Sequence, residues 1–384
     1  MNWRSEMNMA VLVASALAVA SVLSAGEPVR VDDAASLPQA VKALKPGDVL
    51  ALAPGTYKTS IWMQSVHGTW RRPIVIRCEG KAVVQPTERD GILLSGCSYI
   101  TFEGIEVRAA ERAGMLVSKS HHVTIRRCVM ADNGRWGIQT CLSDRITVED
   151  CILTGSRREH GVYFSTTDRP VVRRCVIAGN GGCGVHLNGD RNEGGDGVIT
   201  SARIEDNTIY GNGSRGGAAV NMDGVEQSLV LNNLVYGNLA GGIACFAQDG
   251  ARAGNGNRFV RNTVWFAPGH GRYALQIVQG AQASAVSNNV LVCGRGPALE
   301  IDAKAMRTLT ADRNVYRVSG ASRPVAVGED RMGLSAWQKK SGQDAESLDV
   351  DPLFADTGKG DFALRKESPA RRIGAGRRPP GAQP

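Results

Sequence analysis

A phenol and an imidazole suited to proton transfer, Tyr163 and His186, stand 23 residues apart in the runs GVYFS and GVHLN. One group can give a proton and the other take it, which is general acid–base chemistry provided that the fold brings them together. The run GVHLN also carries Asn188, and the later run AVNMD carries Asn221 and Asp223. Amide N–H groups can hold a carboxylate without adding charge. Arg158 and His160 precede Tyr163 and can add positive charge, while Gln139, Lys119, Arg135 and Gln248 fall at related positions, so all are candidate substrate contacts. The set suits an anionic ligand. Asp190, Glu193 and Asp196 offer oxygen atoms of the kind calcium takes, but without a tight ligand spacing, so no metal or other cofactor is assigned. No C-x-x-C or H-x-x-x-H spacing occurs.

Residues 23 apart meet only if the chain repeats. It does: the runs led by Gly91, Gly114, Gly137, Gly161 and Gly184 follow one another at 23, 23, 24 and 23 residues. The same register returns at Ala219, Gly242, Ala274 and Ala298 with gaps of 35, 23, 32 and 24, so the long gaps are insertions. A second strand runs in step with the first and carries Cys128, Cys151, Cys175, Asn207, Asn233, Asn262, Asn289 and Asn314 at one position. A unit this short holds two or three strands and cannot hold a helical pair, and a propeller blade needs ~40 residues, so each unit is one coil of a parallel β-helix. About 9–10 coils are expected, over residues 70–318.

Coils stack at about 4.8 Å, so equal positions form columns, and alternate residues point in and out. Val162, Phe164, Val185, Leu187, Val220 and Met222 are then core. One outward column runs Gln139, Tyr163, His186, Asn221 and a companion runs Cys141, Ser165, Asn188, Asp223, all expected on a solvent-facing wall. The insertions at 190–202 and 248–257 are expected to wall the two ends of a groove. The Cys and Asn column reads as buried thiols followed by amide ladders rather than a disulfide framework, although pairing elsewhere, as between Cys78 and Cys97, is left open.

Composition agrees with many short strands: 46 Gly accompany only 7 Phe, 7 Tyr and 6 Trp. At 42% hydrophobic and 21% charged the chain is neither disordered nor collagenous. Arg4 followed by the apolar run 10–23 and small residues 24–26 reads as a signal peptide over 1–26, too short to span a bilayer, so a secreted or periplasmic protein is expected, without a membrane anchor after cleavage. The net charge of +8 then points to an acidic polymer outside the cell rather than to nucleic acid. One domain, 27–376, is expected, as a monomer. Ser36-Leu-Pro-Gln39 reads as a capping box on a helix that plugs the first coil, within a cap over 31–60. DPLF and DFAL close a segment over 319–376, and 377–384 is a basic tail.

The run SLPQAVKALKPGDVLALAPGTY, the Gly-led coils with Asn-rich turns, and the closing DPLF, GDF and SPA elements together resemble secreted right-handed parallel β-helix proteins of the pectate-lyase-like superfamily. Within it, residues 159–190 and 216–225 resemble polysaccharide lyases acting on uronate polymers, alginate and glucuronan lyases above all. The Lys and Arg pair of the calcium-dependent members has no match here. The resemblance implies β-elimination on an acidic polysaccharide, with His186 and Tyr163 as base and acid in an order set by substrate stereochemistry. Alternatives are a β-helix glycoside hydrolase, for which the paired carboxylates are missing from the column, a uronate C5-epimerase, and a non-catalytic glycan-binding solenoid.

Overall fold

The computed structural model describes residues 27–320 and 322–377, so the segment expected to direct export and the tail beyond Arg377 lie outside the described residues. Strands with period-two alternation wind into a parallel β-helix of about 12 turns. That exceeds the 9–10 counted from the repeats, because rungs continue where the Gly-led run is absent. The twelve-stranded sheet starts at Ile61–Gln64, passes through every Gly-led strand, and ends at Val325–Val327 and the antiparallel strand Asp330–Met332. A second sheet of 22 strands forms the other faces. Val162, Phe164, Val185, Leu187, Val220 and Met222 are fully buried, each contributing roughly 1.5–3 kcal/mol by removal from water. Among the described residues no helix is long and apolar enough to cross a membrane.

The coil turns through left-handed backbone. One coil bends at Lys119 (φ 48°), His122 (54°), Arg127 (53°) and Asp132 (58°), and the next at Leu142 (48°), Arg145 (50°), Asp150 (55°) and Gly155 (69°). Such a residue costs about 1–2 kcal/mol without glycine's freedom, and the residue after it turns inward, packing the core where it is apolar and bonding along the axis where it is polar. Asn207 shows the gain: its Oδ1 accepts from the Cys175 N–H (3.0 Å), and its Nδ2 donates to Val172 O and to Asn233 Oδ1 (2.9 Å each). The pattern repeats through Asn233, Asn262, Asn289 and Asn314. Cys128, Cys151 and Cys175 fill the start of this column as buried thiols, and all nine cysteines are free, Cys78 and Cys97 included.

The N-terminal end differs in detail from expectation, and the C-terminal strand pair forms as expected. The helix Leu37–Lys42 does bury Leu37 and Val41, but Ser36 caps nothing. Asp33 takes that part: its carboxylate accepts the Ala35 and Ser36 N–H groups and the Ser36 hydroxyl (2.7, 2.8 and 2.7 Å). At the other end Phe354–Asp356 pairs antiparallel with Asp361–Leu364, and Phe362 packs on the Tyr236 and Trp265 rings at 4.8 and 5.4 Å. This segment lies along the flank of the solenoid.

Candidate active site

The strands Val162–Ser165, Val185–Asn188 and Ala218–Asp223 pair in parallel, so Tyr163 sits opposite His186, and His186 opposite Asn221. The Tyr163 and His186 ring centroids are 5.2 Å apart. Trp136 stacks on Tyr163 at 5.9 Å with an interplanar angle of 12°, and His160 meets His186 edge-on at 4.7 Å. Trp136, His160 and Cys183 each precede the glycine of a Gly-led run and so form a third column beside the first. That column was legible in the repeat; its rings enter the site because the neighbouring coil leaves space. A Cβ on Gly182 would come within 2.6 Å of His160 Nδ1, and one on Gly217 within 2.6 Å of Cys183 Sγ.

Hydrogen bonds fix the histidine tautomers. The Cys183 backbone N–H donates to His160 Nδ1 (2.9 Å), so neutral His160 carries its proton on Nε2. That N–H faces His186 Nδ1 at 3.1 Å, which makes Nδ1 the acceptor and leaves the His186 proton on Nε2. His186 Nε2 is shut off from water and has no partner among the described residues. Both rings are held neutral: burial, with Arg135 adding, pushes His160 down to about 4, and burial, with His160 adding, pushes His186 down to about 3. The positive charge expected of His160 is therefore absent at neutral pH. His186, expected to face solvent as a base, instead has one nitrogen occupied and the other protonated, so it is a hydrogen-bond donor.

His160, Cys183 and His186 offer ligand atoms within 4.8 Å of one another, a set that would suit a soft metal ion. The tautomers do not fit that use. His160 Nδ1 is taken by a backbone N–H and its Nε2 is protonated, so ligation requires breaking the bond from Cys183. The Cys183 thiol is pushed up to about 12 by burial, far from the thiolate a metal needs. The calcium candidates are spread out: Asp190 accepts from Asn192 N–H (3.0 Å), Asp196 from Val198 N–H (3.1 Å), and Glu193 from the Ser165 hydroxyl.

The phenol is the accessible member. Tyr163 is half-buried, its Oη accepts a hydrogen bond from Asn188 Nδ2 (3.1 Å), and burial raises its pKa against the effect of that bond. Beyond it, the companion column is not a wet wall: Ser165, Asn188 and Asp223 are 0%, 4% and 2% exposed. The cause is the two insertions, which meet over this column instead of walling opposite ends. Ala251 N–H bonds Gly197 O (2.8 Å) and Arg191 N–H bonds Asp249 O (3.2 Å). Asp223, expected to touch substrate, is spent on the loop: it accepts N–H bonds from Gln248, Asp249 and Gly250 at 2.8–3.0 Å.

The remaining candidates divide. Gln139 is half-buried in register with Tyr163, and Asn221 is half-buried beyond His186, accepting the Ala218 N–H at 3.3 Å. Lys119 and Arg158 are exposed, Lys119 at a corner two coils away and Arg158 in the turn entering the Tyr163 strand; Gln248 is exposed on the loop. Arg135 is not free for substrate: it pairs with Glu159 and lies 4.2 Å over the Trp136 ring. Glu159 also accepts the Trp136 indole N–H (3.0 Å). Lone carboxylates give no sequence signal for such a role.

Comparison with known proteins bears on the architecture. A family profile described as "Right handed beta helix region" matches residues 74–193. The uncharacterized protein YwoF of Bacillus subtilis (strain 168) is 25% identical over 178 residues, which cover 44% of this chain and 38% of that protein. An alginate lyase from Paenibacillus sp. str. FPU-7 superposes with a TM-score of 0.55 at 19% identity, covering 78% of this chain and 99% of that one. The A-module of the Azotobacter vinelandii mannuronan C-5 epimerase AlgE6 superposes at 0.56 with 14% identity, over 84% and 94%. Family profile, rung register and superposition agree: the chain is a right-handed parallel β-helix protein with the fold these enzymes share.

Proposed function

We propose that the protein acts on an acidic, uronate-containing polysaccharide and cleaves it by β-elimination, with Tyr163 as the proton-transfer group and His186 as a neutral donor. The observation that supports this reading is the half-open phenol held by Asn188, one rung from a buried imidazole N–H that lacks an acceptor among the described residues. A buried donor left unpaired costs about 1–3 kcal/mol, which an incoming carboxylate or hydroxyl oxygen would recover once the covering groups shift.

In the reaction the C5–H electrons form the C4=C5 double bond and the C4–O4 bond breaks. The C5 proton goes to a base and O4 receives a proton. His186 has no lone pair to offer, so the phenol serves both steps, as phenolate at C5 and as phenol at O4. Asn188 Nδ2–H steadies the phenolate against burial and the charges of Glu193 and Asp190, and the exposed cations Arg158 and Lys119 favour the anionic chain. One group can do this only where C5–H and O4 lie on the same face of the sugar. Mannuronate and glucuronate have that arrangement; guluronate and galacturonate do not.

The test is incubation of the purified protein with polymannuronate, polyglucuronate, polyguluronate and polygalacturonate while following the ultraviolet absorbance of the unsaturated product. Absorbance is expected with the first two and not with Tyr163→Phe. New reducing ends without absorbance would assign hydrolysis, and solvent exchange at C5 without chain cleavage would assign epimerisation. Because the steps are assigned to side chains, activity is expected to survive treatment with a chelator.

A further inference from the structure

A second cleft, of about 540 Å³, lies on the neighbouring face of the same coils and takes no part in the chemistry above. Its floor is the outward column Thr101, Thr124, Thr147 and Val171 on consecutive rungs. Its side is the corner column Tyr99, His122, Arg145 and Arg169, all in left-handed backbone with φ 50–55°. Trp70 closes one end, 72% exposed, with the Arg71 guanidinium 4.8 Å above its ring. The Tyr99 and His122 rings stack at 4.5 Å with an interplanar angle of 15°.

Three features point to one kind of ligand. An indole left in water at the mouth of a cleft covers no core, and its flat face matches the C–H face of a pyranose ring. The threonine hydroxyls repeat at about 4.8 Å, close to the advance per sugar of an extended 1,4-linked chain, so successive sugars meet equivalent donors. Among the described residues no carboxylate lines the cleft. Arg145 and Arg169 both pair with Asp144, each at 2.7 Å, and Asp168 also acts on Arg169, but the cleft is lined by the two guanidinium groups and not by these acids. The corner positions require only a left-handed residue, a role that glycine or asparagine fills at lowest cost. Here they carry two stacked rings and two guanidinium groups instead.

We infer that this cleft is a second, non-catalytic glycan site that holds an anionic oligosaccharide chain along the solenoid axis, beside the face that carries Tyr163. The choice of a uronate chain rests on the function proposed above; the site itself rests on the cleft. It would hold a polymer on the enzyme between cleavage events and give long chains an advantage over short ones.

The experiment measures binding, by calorimetry in Tyr163→Phe protein, of defined mannuronate and glucuronate oligomers and of a neutral glucan. Trp70→Ala and the pair Arg145→Gln, Arg169→Gln are each introduced with melting checked. Trp70→Ala is expected to weaken binding of long oligomers about ten-fold, and the arginine pair to reduce its salt dependence. In otherwise wild-type protein, Trp70→Ala is expected to leave cleavage of the shortest substrate unchanged and to slow that of polymer. Unchanged affinity in Trp70→Ala overturns the site. Equal loss on short and long substrates makes it part of the first site, and equal affinity for neutral glucan overturns the ligand class. If wild-type protein binds uronate chains through Trp70 but cleaves none, the cleft stands and the lyase reading falls.

Discussion

At Tyr163 two neighbouring effects oppose each other: burial holds the proton on the phenol, while Asn188 Nδ2–H favours the phenolate. Tyr163→Phe keeps the ring between Trp136 and His186 and removes only the oxygen, so product formation should fall by about 10²–10⁴-fold, at a stability cost of about 1–3 kcal/mol for the Asn188 Nδ2–H it leaves unpaired. A loss below ten-fold would put the proton transfer elsewhere. The histidines make a separate prediction. With His160 at about 4 and His186 at about 3, both are neutral throughout the range in which a free histidine titrates. The profile of kcat/KM against pH should therefore show no histidine limb between about pH 5 and 8 and should rise on the alkaline side as the phenol ionises. A limb near the ordinary histidine value would mean that His186 acts as a base and that its link to His160 opens.

Between residues and molecule stand the column and the loop. In the Asn207-to-Asn314 ladder each amide accepts from the rung before it and donates to the rung after it. Asn233→Leu keeps the branching of the side chain, though with somewhat larger bulk, and leaves the Asn207 N–H and one Nδ2–H without an acceptor. Each orphan costs about 1–3 kcal/mol, so the urea midpoint should fall by several times what an exposed substitution produces; an unchanged midpoint would deny the ladder a role. Asp223 fastens the loop through three N–H bonds, and Asp223→Ala should expose residues 247–251 to proteolysis while the coils melt as before. If the loop stays resistant, its packing on Gly197 and Gly224 is sufficient by itself.

For the whole molecule, the buried neutral imidazoles couple stability to pH. Their folded-state values lie below the ordinary 6.5, so the unfolded chain binds more protons as the pH drops through that value. The stabilisation is fully present above about pH 6.5 and is lost progressively toward pH 4 for His160 and pH 3 for His186. Each tenfold loss of proton affinity on folding is worth about 1.4 kcal/mol, so the pair accounts for roughly 8 kcal/mol in full and on the order of 5 kcal/mol down to pH 4.5. Glu159, Arg135, Tyr163, Cys183 and Asp223 face the pair as well. The comparison that isolates the histidines is therefore the drop in urea midpoint between pH 7 and 4.5 in wild type and in His160→Gln, His186→Gln. The double variant should lose less; an equal loss assigns acid sensitivity to the carboxylates.

How much could be read in advance follows from the same division of scale. The 23-residue spacing and the alternation within GVYFS, GVHLN and AVNMD determined the coil, the inward and outward sets, and the meeting of Tyr163 with His186, because parallel rungs bring equal positions together wherever the strands pair. The Asn column was legible for the same reason. The tertiary structure alone decided that Asp223 and Asn188 are covered, that Trp136 and His160 close on the two rings, and which nitrogen of each histidine carries a proton. Those outcomes depend on where two insertions fold back and on a single backbone N–H at Cys183, and contacts between segments so far apart leave no period in a sequence.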